Sequence, residues 1–469
     1  MLTGTGTAGA YHAGVLRALH EAGVKIDIVA GRGIGAIGAF FTAIDGGARL
    51  WDPGGLWRAK GATRLYGWRA TLRAAAWTLG GALSVLLLPL AVLVSAVLVL
   101  PVAFLMRAIG LDGDLLASEY TRLVDVVFQP AALPVLLPRA VVVVLSVFLA
   151  VLVGGAVGAK LRAPARRRSR GAFWWSLLGT PLDVTCATEW FTDGLWQLMR
   201  GAAPIAKPST NDLGGRYSEL LGENVGQPGF RELIVVTHDV DARRDLTFAL
   251  LAERHRRSFF LRSVGQEGGS RHLETMDLAG AAAGHAVDAL VAALSLPVAT
   301  EPHLLRFAPD SQWRGETHRV CDRPDATARV LEEVAHAGAE QVVLVSALPE
   351  AAGPHTLSSG HRDGRGRAGE HLAAVETAAL RDAVRSCDGL FQAIFHIRPS
   401  HNPLGPFDFR GCYDELSDRR QSLVELVDRG YEDGFRQFVD SVVGASGELI
   451  ESSQAERRGE GPPHQGIAT

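Results

Sequence analysis

Two long uncharged stretches narrow most sharply what this chain can become. The first runs from Ala74 to Met106, between Arg73 and Arg107, and the second from Ala140 to Ala159, between Arg139 and Lys160. A helix that crosses a bilayer needs about 20 apolar residues. The second stretch meets that need. The first exceeds it, which calls for tilt or for one end resting in the interface. Pro89 and Pro101 would kink it, and membrane helices tolerate such kinks. A hairpin buried in a soluble core fits less well, because soluble helices rarely go this far without a charge. The expectation is an inserted two-helix transmembrane hairpin over residues 74–160.

The flanks predict its orientation. Arg58, Lys60, Arg64, Arg69 and Arg73 precede the first stretch, and Lys160, Arg162, Arg166, Arg167, Arg168 and Arg170 follow the second. In the connecting segment Arg107, Arg122 and Arg139 are offset by Asp112, Asp114, Glu119 and Asp125. Positive flanks stay in the cytoplasm. Both ends of the hairpin, and the domain around it, are therefore expected on the cytoplasmic side of the cell (inner) membrane, as a multi-pass protein. The run Arg166–Arg170 suits anionic lipid headgroups. The overall formal charge is only −3, which argues against a nucleic-acid partner. The four cysteines, Cys186, Cys321, Cys387 and Cys412, lack metal-ligand spacing. No metal site, disulfide framework or cofactor is expected, and a reducing compartment fits. The chain opens on Gly-rich sequence rather than on a basic-then-apolar leader.

Outside the hairpin the pattern alternates between strand and helix. His12–Ala22 carries Val15, Leu16 and Leu19 on one helical face, with Gly23 as C-cap. Ile26–Ala30 reads as a short buried strand, Gly31–Gly35 as a turn and Ala36–Ile44 as the start of a helix. Glu232–Thr237, Gln341–Ser346 and Leu390–Ile397 read as strands. Leu278–Leu294 and Tyr413–Val443 read as helices. Such alternation predicts an α/β domain with a mostly parallel sheet covered on both faces. It is expected to comprise residues 1–70 and 171–445. Ala351–Glu370 reads as a loop rich in Gly, His, Ser and Arg, and 452–469 as a polar disordered tail.

Two glycine motifs carry the chemical argument. Gly4-Thr5-Gly6-Thr7-Ala8-Gly9 opens the first helix, where backbone N–H groups can hold an anion. It also matches the dinucleotide fingerprint. That fingerprint needs a strand before the loop and an acid at the end of the next strand. Only Met1–Thr3 precede the loop, and Asp27 sits at the start of the next strand, so dinucleotide binding is not expected. The second motif is Gly31-Arg32-Gly33-Ile34-Gly35, placed between strand and helix as in a nucleophile elbow of the G-x-S-x-G kind.

Together these motifs resemble the patatin-like phospholipases. That family pairs a Gly-rich oxyanion loop ending in G-V-L, here Gly14-Val15-Leu16, with a G-x-S-x-G elbow one helix and one strand later. Ala293–Pro297 and Ala337–Glu340, before Val342–Ser346, are similar to later family blocks. The resemblance covers residues 1–50 and roughly 180–445, and implies a three-layer α/β/α lipid acyl hydrolase. On it Gly4, Gly6 and Gly9 form the oxyanion loop, and Gly31, Gly33 and Gly35 the elbow.

The departures matter more. Gly33 stands where the nucleophilic Ser should be, and Ala8 where the loop's usual basic residue falls. The family's Asp, in a D-G-G/A motif before N-x-P, aligns best with Arg314 of Arg314-Gly315-Glu316, ahead of Asp322-Arg323-Pro324. Asp45-Gly46-Gly47 reads as a helix-ending turn; Asp388-Gly389 and Asp193-Gly194 are weaker counterparts. A Ser–Asp dyad needs a base to activate a hydroxyl, and both partners are missing from these positions. Glu316 and His318 are the best candidates for different chemistry, while His12, His20 and His401 read as isolated. The expectation is a membrane-anchored, catalytically inert protein of lipid metabolism that binds membrane lipid or a protein partner. The alternative is an acyl hydrolase with a relocated nucleophile.

Overall fold

The computed structural model describes residues 1–129, 137–162, 179–261, 271–309, 311, 313–348, 364–399 and 422–444. The run Arg166–Arg170, Cys412, His401, most of the Ala351–Glu370 segment and the 452–469 tail lie outside the described residues. The chain divides into two compact units, one of Met1–Gly67 with Leu182–Thr469, the other of Trp68–Pro181.

The first unit is a mixed α/β domain with a mostly parallel central sheet. It begins with β1 (Leu2–Thr3), α1 (Ala8–Glu21), β2 (Ile28–Gly31) and α2 (Gly35–Ala43). β1 is the main departure from expectation. Met1–Thr3 looked too short to count as a strand, yet Leu2 pairs in parallel with both Val345 and Gly31. Two residues suffice because neighbours on both sides satisfy their backbone groups.

The Trp68–Pro181 unit holds α3 (Ala70–Ala108), α4 (Gly113–Val127) and α5 (Leu137–Arg162). α3 and α5 are long and apolar enough to cross a membrane. α3 runs without a break past Pro89 and Pro101. Nearly all of its side chains face outward; Ala75, Ala82, Val92 and Ala103 are the buried ones. The segment between α3 and α5 is not a plain loop, because α4 fills most of its described part. Tyr120 donates a 2.6 Å hydrogen bond to the Val92 carbonyl of α3.

The remaining elements return to the α/β domain: α6 (Thr185–Arg200), α7 (Thr210–Asn224), β3 (Glu232–Asp239), β4 (Arg244–Leu250), β5 (Thr275–Asp277), α8 (Ala286–Leu294), β6 (His303–Arg306), β7 (Thr317–Cys321), α9 (Thr327–His336), β8 (Gln341–Ser346), α10 (Gly364–Cys387), β9 (Ala393–Ile397) and α11 (Leu423–Gly434). The sheet order is β9-β8-β1-β2-β3-β4-β5, with β7 joined to the end of β3 and β6 paired to β7. All pairs from β9 to β3 are parallel, whereas β3–β4, β3–β7 and β6–β7 are antiparallel.

Alternate strand residues feed two cores. Leu233, Val235, Phe248 and Val345 pack on one face with α1, α2, α8 and α11. Ile234, Val236, Ala249 and Leu344 pack on the other with α9 and α10. Helices thus cover both faces, as the alternating pattern predicted. The expected helix over Leu278–Leu294 shortens to Ala286–Leu294 because the Asp277 carboxylate accepts from Ala279 N–H and turns the chain there.

Candidate functional site

The Gly loop and the elbow meet at the carboxyl ends of β1 and β2, the edge where open α/β sheets place their sites. Gly33 has a φ of +54°, the left-handed conformation a sharp strand-to-helix turn imposes. Gly35 lies against β1 so closely that a Cβ would come within 2.2 Å of the Leu2 carbonyl oxygen. The strand-to-helix turn is therefore sharp, and the glycines that flank position 33 permit its close packing.

The centre of this elbow is closed. The Gly4 carbonyl oxygen accepts from Ile34 N–H at 2.9 Å. The same oxygen lies 2.3 Å from where a Cβ on Gly33 would sit. In an elbow hydrolase the N–H after the nucleophile serves the oxyanion hole. Here that donor is spent on the Gly loop, and the space for a nucleophile's side chain is filled by backbone. Ala8, in the position of the loop's basic residue, packs its methyl under Gly4. Gly9 lies in the first turn of α1 against the Trp57 ring.

A buried ion cluster underlies the turn. Arg32 is fully buried. Its Nε and Nη2 donate to the Asp322 carboxylate at 3.2 and 3.0 Å. Its Nη1 donates to Thr3 Oγ1 at 2.9 Å and to Glu376 Oε1 at 2.7 Å. Gly33 N–H also donates to Asp322. Two carboxylates thus share one guanidinium away from water. Burial pushes Glu376 up to about 7, with Arg32 opposing the shift and Asp322 adding to it. Burial also raises Asp322, against the pull of Arg32. Sequence reasoning missed the roles of Arg32 and Glu376. The available signal was an Arg inside an otherwise apolar strand–turn–helix run, since a buried guanidinium requires carboxylate partners.

Asp322, at the end of β7, is the carboxylate that touches the elbow; its Oδ2 lies 3.1 Å from the Gly33 Cβ position. Arg314, the position aligned to the family's Asp, instead sits in the turn before β7 with a φ of +48°. The other Asp-Gly motifs serve local structure. Asp45 has a φ of +56° in the turn after α2. Asp193 lies within α6 and pairs with Lys207 at 2.7 Å, and Asp388 opens a short turn after α10.

His12 does face the Gly loop. Its Nε2 donates to the Thr3 carbonyl at 3.0 Å, and burial pushes its pKa down to about 3. The neutral ring therefore leaves Nδ1 as an acceptor, which meets no donor among the described residues. His20 packs on Trp51 at the end of α1. His318 is more organised. Its Nδ1 is 2.5 Å from the buried Asp239 carboxylate, and its Nε2 is 3.3 Å from Glu316. Phe307 and Trp313 pack edge-on against its ring. Among the described residues no three His, Cys, Asp or Glu side chains gather as a metal site.

No protein-family model, curated protein or solved structure matches this chain.

Proposed function

We propose that this chain is a membrane-anchored protein of the patatin-like fold, catalytically inert, that acts by binding lipid or a protein partner at the cytoplasmic face of the cell membrane. The observation that carries this reading is the Gly4 carbonyl, which occupies the nucleophile's space and takes the Ile34 N–H. Gly33 supplies no hydroxyl, and both oxygens of Asp322 are engaged by Arg32. The strand–elbow–helix order, with Asp322 brought to the elbow from β7, supports the fold resemblance. Function does not follow from fold alone, so activity needs its own test. A fluorophosphonate probe is expected to leave the purified protein unlabelled, and a panel of lipid esters to be left intact. Stoichiometric labelling of one serine would overturn the inert reading.

The rival, a hydrolase with a relocated nucleophile, draws on the Asp239–His318 pair, which could orient a general base. Against it, the partner on His318 Nε2 is the Glu316 carboxylate rather than a hydroxyl.

The anchor reading rests on α3 and α5 with their basic flanks. Reporter fusions within residues 112–135 are expected to report the outer side, and fusions after Thr469 the cytoplasm. A cytoplasmic signal from the 112–135 segment, or release of the chain by alkaline carbonate, would remove the anchor.

A further inference from the structure

The 39 residues of α3 extend about 58 Å at ~1.5 Å per residue, roughly twice the hydrocarbon thickness of about 30 Å. The excess has a defined place. Gly155 of α5 lies against Thr71, close enough that a Cβ would meet the Thr71 methyl at 2.8 Å. α5 therefore accompanies the beginning of α3. The far half of α3 is accompanied by α4 instead. Gly113 approaches the Ala103 carbonyl so closely that a Cβ would sit at 2.1 Å, and Tyr120 reaches Val92. α4 thus runs antiparallel along the distal half of α3.

The two sides of this distal pair differ in chemistry. Small or buried residues, Val92, Ala103 and Gly113, form the α3–α4 seam, as in helix pairs packed within lipid. The opposite side of α3 presents Val94, Val97, Leu98, Phe104 and Leu105, all exposed. That surface is broad and made of large side chains, with no polar residue to fix a protein partner's register. α4, by contrast, carries exposed Asp114, Glu119 and Arg122. Charged groups are costly in the hydrocarbon centre, which excludes α4 from crossing beside α3. Water, in turn, disfavours an apolar face of this extent.

We propose that the distal half of α3, from about Val92 to Met106, together with α4, is a lipid-resting hairpin on the leaflet away from the basic flanks. The apolar face of α3 sinks among the upper acyl chains, and the charged side of α4 faces water. Pro89 removes a rung from the helix ladder where the spanning part ends, so the axis can turn there. The inference rests on the membrane-anchor reading and adds a second, peripheral lipid contact to it.

The test uses the full chain with Cys186→Ser, because Cys186 is the exposed cysteine among the described ones. Single substitutions Leu79→Cys, Leu98→Cys, Phe104→Cys and Arg122→Cys carry an environment-sensitive NBD label, one chain per lipid nanodisc; Leu79 is an exposed side chain midway between Ala70 and Pro89. Leu98 and Phe104 probes are expected to be blue-shifted and quenched several-fold more by a nitroxide high on the acyl chain than by one near its end. The Arg122 probe should stay accessible to dithionite, and the Leu79 probe should respond to the deep nitroxide. Water-exposed Leu98 and Phe104 probes would overturn the hairpin. So would probes shielded from water but untouched by either lipid quencher, which would mean a protein cover, or probes as deep as Leu79. A Leu79 probe that no lipid quenches is a separate failure, that of the spanning pair, and the other three positions still decide for or against the hairpin.

Discussion

Replacing Arg32 with Met is expected to cost the α/β domain about 3–5 kcal/mol at pH 8, the penalty for leaving buried carboxylates without their counter-charge. Asp322 and Glu376 both point at this guanidinium, and neither is exposed enough to recruit water instead. The loss should shrink as the pH falls, because protonated carboxyls no longer need the cation. The parent protein has a pH dependence of its own with the same origin. Glu376 titrates near 7 in the fold against an ordinary 4.5. An acid whose pKa is raised by folding holds more protons folded than unfolded. Its contribution is therefore fully present below about 4.5, declines as the pH rises, and is gone above 7. Glu376→Gln keeps an oxygen for Arg32 Nη1 and removes the titration. It should flatten the Glu376 part of the pH dependence between pH 4.5 and 7 and raise stability at pH 8 by about 3 kcal/mol. The check is the urea midpoint of the full chain in detergent across that pH range, for parent and both variants. An Arg32→Met midpoint equal to the parent's at pH 8 would mean the cluster is not the keystone of the turn.

The same cluster explains where the sequence was legible. The two long apolar helices, α3 and α5, could be read because an uncharged run of that length has few other forms. β2, α2, β3 and β8 could be read because apolar residues bounded by Gly set a short strand or a sharp turn. Gln341–Ser346 matches its strand from end to end, and the turn between strand and helix falls between Gly31 and Gly35, where the glycine spacing put it. The residues that meet at the elbow could not be read that way. Asp322 and Glu376 are far from Arg32 in sequence, and their approach depends on sheet order and on α10 packing over the second face. Local alignment drew attention to Arg314 because it preserves the order Arg-Gly-Glu before Asp-Arg-Pro. The structure spends that segment on a turn and brings Asp322, past the end of β7, to the elbow. β1 was missed for a related reason. Two residues carry no periodicity, and only pairing on both sides makes Leu2–Thr3 a strand.

Gly33→Ser is expected to destabilise the domain and to yield no esterase, although it would set a serine beside an aspartate. Two costs add in the fold. A side chain at a φ of +54° carries strain on the order of 1–3 kcal/mol. Its Cβ would also be forced to within 2.3 Å of the Gly4 carbonyl oxygen, so the Gly loop must retreat and give up the bond from Ile34 N–H. That retreat is the interesting part, because it would reopen the space and free the one donor that an oxyanion hole needs. It does not free a base. Asp322 remains bound to Arg32 through both oxygens, and His12, pushed down to about 3 with its Nε2 committed to Thr3, lies behind the loop rather than beside the new hydroxyl. A serine without a base stays a weak nucleophile. The expected result is a lower thermal midpoint and p-nitrophenyl ester hydrolysis no faster than the parent's. A variant more stable than the parent would contradict the strained elbow. Hydrolysis well above the parent's would show that Asp322 can leave Arg32 and act as a base, and the inert reading of this site would fall with it.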